Sequence, residues 1–101
     1  MSLVAVKALS ELLPGRIAEA RAQDCKYVIC NVGGELHCLT GVCPHAGGPL
    51  AQGSLEGHQL ICPWHGWKFD CRTGLSAPGK AVKLNVFPVT VKDGMIVIEV
   101  P

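Results

Sequence analysis

The sequence predicts a small all-β domain, and three observations carry that expectation. Gly33-Gly34 and Asp93-Gly94 each join two β-rich runs, the signature of a two-residue hairpin with positive φ in the turn. Apolar runs of strand length, such as Lys26 to Val32 and Met95 to Val100, recur between turn residues along the chain. No repeat, low-complexity tract or linker divides the 101 residues, and 49% apolar residues suffice for a single core. About nine short strands in small antiparallel sheets are expected.

Leu3 to Lys7 alternates weakly and reads as the first strand. Leu12-Leu13-Pro14-Gly15 is a turn, because proline fixes φ and glycine supplies a positive one. Arg16 to Ala22 alternates polar and apolar residues and fits a half-buried strand, with a helix as the alternative. Lys26 to Val32 and Glu35 to Leu39 form the first hairpin, whose second strand runs straight into Cys43. Gly53 to Ile61 reads as two short strands around a glycine turn, the second feeding Cys62. Lys68-Phe69-Asp70 precedes a turn at Arg72-Thr73-Gly74 and a proline-bearing loop from Leu75 to Lys80. Val82 to Val86, Phe87 to Val91 and Met95 to Val100 close the chain, with Pro88 marking an edge or bulge.

Composition excludes several classes of function. A formal charge of +1 gives no electrostatic case for nucleic acid or a membrane surface. The N-terminus is apolar for only four residues before Lys7, which fits neither a signal peptide nor a membrane span. With no export signal, Cys25, Cys30, Cys38 and Cys71 are expected as free thiols, with a disulfide or a second metal site as the alternative, and the protein as cytoplasmic. A Cys25–Cys30 or Cys38–Cys71 bridge would contradict that location.

The chemistry concentrates in two arms. Cys43-Pro44-His45 and Cys62-Pro63-Trp64-His65 stand sixteen residues apart, and each supplies one thiolate and one imidazole. Gly47 and Gly66 follow the histidines. A structural zinc site also accepts two Cys and two His, but its usual grammar pairs Cys with Cys and His with His. That Cys2His2 zinc reading, and a metal-free one, are the alternatives at this point.

The two arms resemble the Rieske iron–sulfur motif, in which two thiolates hold one iron and two histidines the other. The similarity covers nearly the whole chain: Cys62 to Asp70 with Thr73-Gly74 resembles the second half of the motif in Rieske-type ferredoxins, and Phe87-Pro88-Val89 with Asp93-Gly94 their closing hairpin. It implies one domain over 1–101: an all-β Rieske-like fold of small antiparallel sheets forming a base, with two cluster-binding loops at one tip. Those loops span about 41–67, and a covering loop about 75–80 includes Ala77-Pro78-Gly79, for which an ordinary surface turn is the alternative. The implied ligands of one [2Fe–2S] cluster are Cys43, His45, Cys62 and His65.

Two ferric irons, two sulfides and two thiolates sum to zero formal charge, so such a site accepts an electron more readily than a four-cysteine cluster does. Rieske potentials accordingly span roughly −150 to +300 mV, against about −400 mV for plant-type ferredoxins. Respiratory members resemble this pattern with a cysteine in each arm forming a disulfide, where this chain has Gly48 and Trp64. They also carry serine and tyrosine hydroxyls on the cluster sulfurs, where this chain has Trp67 and Phe69. Fewer donors to sulfur place the expectation at the low end of the band. Trp64 and Trp67 flank His65 and shield the cluster, with partner docking a further role for Trp64.

The resemblance implies a soluble carrier, a monomer and not itself an enzyme, taking electrons from an NAD(P)H-dependent flavin reductase to a terminal oxygenase of the aromatic-ring-hydroxylating type. The chain has no G-x-G-x-x-G nucleotide fingerprint, so electrons must come from another protein. A terminal oxygenase would need a mononuclear iron on two further histidines and a carboxylate, and only His37 and His58 remain, in a domain too small to enclose a cavity. The small subunit of an assimilatory nitrite reductase is the runner-up. With both sulfurs turned inward, His45 and His65 would face out, ringed by Gly47, Gly48, Pro49, Trp64 and Pro78.

Overall fold

The computed structural model describes residues 2–43, 47–64, 66–76 and 82–101. Ten strands among them form three antiparallel sheets: β1 (Ser2–Ala8), β2 (Ile17–Ala22), β3 (Cys25–Val32), β4 (Glu35–Thr40), β5 (Ser54–Glu56), β6 (Gln59–Ile61), β7 (Lys68–Asp70), β8 (Val86–Phe87), β9 (Val89–Lys92) and β10 (Met95–Val100). The sheet orders are β1-β10-β9, β2-β3-β4-β8 and β5-β6-β7. The fold class and its small sheets are those the sequence predicts.

Both hairpins turn where expected. Gly33 and Gly34 have φ of 60° and 99°, and Asp93 and Gly94 have 52° and 76°, as primed turns require. Arg16 to Ala22 resolves as a strand: β2 pairs with β3 from Ile17↔Cys30 to Ala22↔Cys25 and buries Ala20 and Ala22 on one face. Pro88 stands where the chain changes sheets, since β8 pairs with β4 and β9 with β10. A proline cannot donate to a ladder, so the break falls there. The run Val82 to Val86 is mostly not a strand. Leu84 instead donates its N–H to the Gly74 carbonyl at 2.8 Å, and Leu75 bridges Lys83.

The β2-β3-β4-β8 sheet is the middle layer. On one side Tyr27, Ile29 and Cys38 pack against Ile96, Ile98 and Val100 of β10. On the other, Val28, Cys30 and Leu39 pack against Leu50, Leu60, Phe69, Cys43 and Cys62. The two-sided burial explains why β3 reads as a continuous apolar run rather than an alternating one. It also roots both cysteine-bearing arms in the core. Asn31, a buried polar residue, ties the turn before β2 to this layer by donating from Nδ2 to the Leu12 carbonyl (2.8 Å) and accepting the Gly34 N–H (2.8 Å).

Candidate metal centre

The two arms are built alike. In the first, the Cys43 N–H donates to the Gly48 carbonyl at 2.9 Å; in the second, the Cys62 N–H donates to the Trp67 carbonyl at 2.8 Å. Each bond closes a loop on the carbonyl five residues on. Gly47 and Gly66, four residues after each cysteine, have φ of 72° and 68°, a conformation that favours glycine. The histidine differs in offset by one residue between the arms, and in the first the Gly47 N–H also donates to the Cys43 carbonyl at 2.8 Å, but both arms close on the same five-residue bond.

The first arm is held down by a close approach. The Gly41 N–H donates to the Lys26 carbonyl at 2.9 Å, and a Cβ on Gly41 would stand 2.9 Å from backbone atoms of Lys26 and Tyr27. Any side chain would push the arm off β3. Val42 and Pro49 bridge across the loop's base.

Cys43 and Cys62 are each only 1% exposed, and their thiols lie in hydrogen-bond contact. Burial pushes the Cys62 thiol above its ordinary range, while the Trp64 N–H donates to its sulfur and pulls the other way. That amide is a donor to sulfur absent from any reading of side chains. Gly48 is buried against the same sulfur: a Cβ there would lie 3.1 Å from Cys62 Sγ and 3.1 Å from the Trp64 ring. Gly48 is therefore inside the site rather than on its rim, which corrects its expected place in the exposed ring. Gly47 is exposed and Pro49 half-buried. Trp67 packs on the core beside Phe69, with ring centroids 6.5 Å apart, whereas Trp64 is 48% exposed.

His45, His65, Ala46 and the Ala77-Pro78-Gly79 loop lie outside the described residues. The base of that loop is fixed: the Ser76 N–H donates to the Val82 carbonyl at 3.0 Å, and the Asp70 N–H to the Leu75 carbonyl at 2.8 Å.

Residues 2–88 match the Rieske [2Fe–2S] domain family. The chain belongs to that family. This Rieske chain is 33% identical over 95 residues to Ferredoxin CarAc of Metapseudomonas resinovorans, covering 92% of its own length and 89% of that protein's. It is 37% identical over 76 residues to the 4β-methylsterol monooxygenase of Methylococcus capsulatus, of which it spans only 21%. One chain in the solved complex of reduced oxygenase and oxidised ferredoxin in carbazole 1,9a-dioxygenase superposes with a TM-score of 0.86 at 32% identity, covering 95% of this chain and 91% of that one. The described donors fit the thiolate side of a Rieske cluster: two buried sulfurs side by side, one already receiving a backbone N–H, with no Cβ at Gly48 to crowd them. No helix is long and apolar enough to cross a membrane among the described residues.

Two further features lay beyond the sequence reading. Cys30 and Cys71 thiols meet in the core, 41 residues apart in sequence. His37 and His58 come together with Glu35, although one lies on β4 and the other in the turn between β5 and β6. Of these only Glu35 and His37, two apart on β4, could have been placed on one face from sequence.

Proposed function

We propose that this Rieske chain is a one-electron carrier, with Cys43, His45, Cys62 and His65 holding one [2Fe–2S] cluster. It takes electrons from an NAD(P)H-dependent flavin reductase and passes them to a terminal oxygenase of the aromatic-ring-hydroxylating type. The observation that carries this reading is the matched pair of arms, which bring two buried thiols into contact at the end of strands rooted in the core. The relatives' names support the carrier role, since the chain spans most of a ferredoxin and most of one chain in a ferredoxin–oxygenase complex.

When bound, the cluster supplies a reversible one-electron step at a formally neutral site. The chain's own residues set the conditions. Cys43 and Cys62 anchor from the interior, the Trp64 N–H stabilises negative charge on sulfur, and Phe69, Leu60 and Leu50 keep water from the thiolate side. Val42 and Trp64 present an apolar exposed edge beside the arms, suited to a small transient contact. The carrier is a cytoplasmic monomer forming one domain over residues 1–101, with no catalysis of its own.

Electron paramagnetic resonance and elemental analysis of the purified protein test the cofactor. Cys43→Ala and Cys62→Ala should abolish the signal, whereas Cys25→Ala should retain it; His65→Cys, where a cluster still forms, should lower the potential because a thiolate replaces a neutral imidazole. Stoichiometric zinc without iron would overturn the assignment. Reconstituted turnover tests the role: electrons should pass from a flavin reductase to an oxygenase, and co-purification with a sirohaem subunit would replace this role with the nitrite reductase one.

A further inference from the structure

Glu35 at the start of β4, His37 two residues on, and His58 in the turn between β5 and β6 converge on the surface, with one donor atom of each within 4.8 Å of the others. His37 Nε2 stands 2.6 Å from Glu35 Oε1, and His58 Nε2 stands 3.9 Å from that same oxygen. We propose that these three side chains form a second metal site, separate from the Cys–His arms, for a borderline divalent cation of the zinc class.

The donor set points to that class. Two imidazoles and one carboxylate suit zinc and its neighbours, whereas calcium and magnesium take oxygen ligands. Bonds of about 2.0–2.1 Å to a tetrahedral centre put donors about 3.4 Å apart. The 2.6 Å hydrogen bond would open and the 3.9 Å separation close, each by less than 1 Å. The side chains free to make that adjustment are Glu35 and His58, 60% and 41% exposed; His37, at 14%, is the fixed member.

The surroundings favour a cation. Arg72 is engaged with Asp70 at 2.9 Å, and Asp70 carries its own charge toward His58. Glu35 and Asp70 against Arg72 leave one formal negative charge around the histidines. The backbone on both sides is pinned, because β4 lies in the middle sheet and the His58 carbonyl accepts the Cys71 N–H at 2.8 Å. Three protein donors leave the fourth position for water or for a group from another molecule.

Isothermal titration of the cluster-loaded protein with zinc, and separately with magnesium, tests this. One zinc and no magnesium should bind per chain, and Glu35→Gln and His58→Gln should each weaken zinc at least ~10-fold, with the cluster's visible spectrum unchanged. Cys25→Ser should bind as the parent does, since the exposed Cys25 thiol is the competing ligand. Glu35→Gln retains an acceptor for His37, and His58 is in an exposed turn, so both variants should fold. No saturation at millimolar zinc, binding indifferent to both substitutions, or binding lost in Cys25→Ser would each overturn the site.

Discussion

Gly48 and Trp64 face each other across the two arms, close enough that a Cβ on Gly48 would sit 3.1 Å from two atoms of the indole ring. These are the positions where the respiratory Rieske pattern has cysteines. Here an indole lying over a glycine joins the arms, so packing takes the place of a covalent tie.

Gly48→Ala should therefore be costly at a position with ordinary φ. The added methyl meets the Trp64 ring and Cys62 Sγ at 3.1 Å, tighter than usual contact, so ring or sulfur must give way by a few tenths of an ångström. We expect a loss of about 1–3 kcal/mol in stability, together with lower cluster occupancy. Denaturant unfolding and iron content measure the two effects. A variant with parental stability and iron would mean that the arms are looser than this packing implies.

The Cys30–Cys71 contact makes a prediction about reactivity. Cys30, Cys38 and Cys71 are fully buried and Cys25 is exposed. Hydrogen bonding to Cys71, together with burial, drives the Cys30 thiol far above its ordinary range, and burial raises Cys38 to about 12. Hydrogen bonding from Cys30 lowers Cys71 instead, but all three thiols are inaccessible, and a buried structural thiol is inert. Iodoacetamide on the native, cluster-loaded protein should label Cys25 alone, as mass spectrometry would resolve. Labelling of Cys30 or Cys71 at the rate of Cys25 would contradict it. Non-reducing peptide maps should show no bridge. Cys25 and Cys30 stand five residues apart along the extended β3, and Cys38 and Cys71 in separate halves of the core, so neither pair is placed to bond.

Asp70 gives a pH prediction. Its carboxylate accepts from the Arg72 N–H at 2.8 Å and from the guanidinium at 2.9 Å, and that pairing holds its pKa below the usual carboxylate value. A carboxyl with a depressed folded pKa adds stability above its unfolded pKa, and loses it as pH falls through the folded one. Asp70→Asn keeps an acceptor but no charge. Its Tm should fall slightly at neutral pH, as suits a solvent-screened pair, and converge with the parent in acid. A deficit that persists in acid would mean the Asp70 charge is irrelevant and the turn geometry is what matters.

Local signals made the hairpins legible in sequence: glycine at positive φ and β-rich flanks need no distant partner. The arms were legible because the spacing of Cys43 to Gly47 and of Cys62 to Gly66 is itself local. Val82 to Val86 misled, since its composition suits a strand while the Leu84 N–H is drawn to the Gly74 carbonyl. The burial of Gly48 and the meeting of His58 with Glu35 depend on contacts between separate loops or sheets. Hydrophobic period carries no information on either.

On the proposed carrier role, the exposed edge beside the arms is where partners are expected to dock. Val42 is 38% and Trp64 48% exposed, and the chain carries a formal charge of only +1. Long-range steering by net charge should be weak, and desolvation of that apolar edge should dominate the encounter. Gly48→Asp is no probe of this, because its Cβ alone would stand 3.1 Å from Cys62 Sγ. Val42→Asp is better, since its side chain reaches solvent; Trp64→Ala, which also removes the packing on Gly48, is read only at parental iron content. Lys92→Glu, at the end of β9 in the outer β1-β10-β9 sheet, is the remote control. Stopped-flow reduction by the flavin reductase should slow at least ~10-fold in Val42→Asp and Trp64→Ala, change little in Lys92→Glu, and vary weakly with ionic strength. A steep fall with salt, or equal sensitivity at Lys92, would move the docking surface away from the two arms.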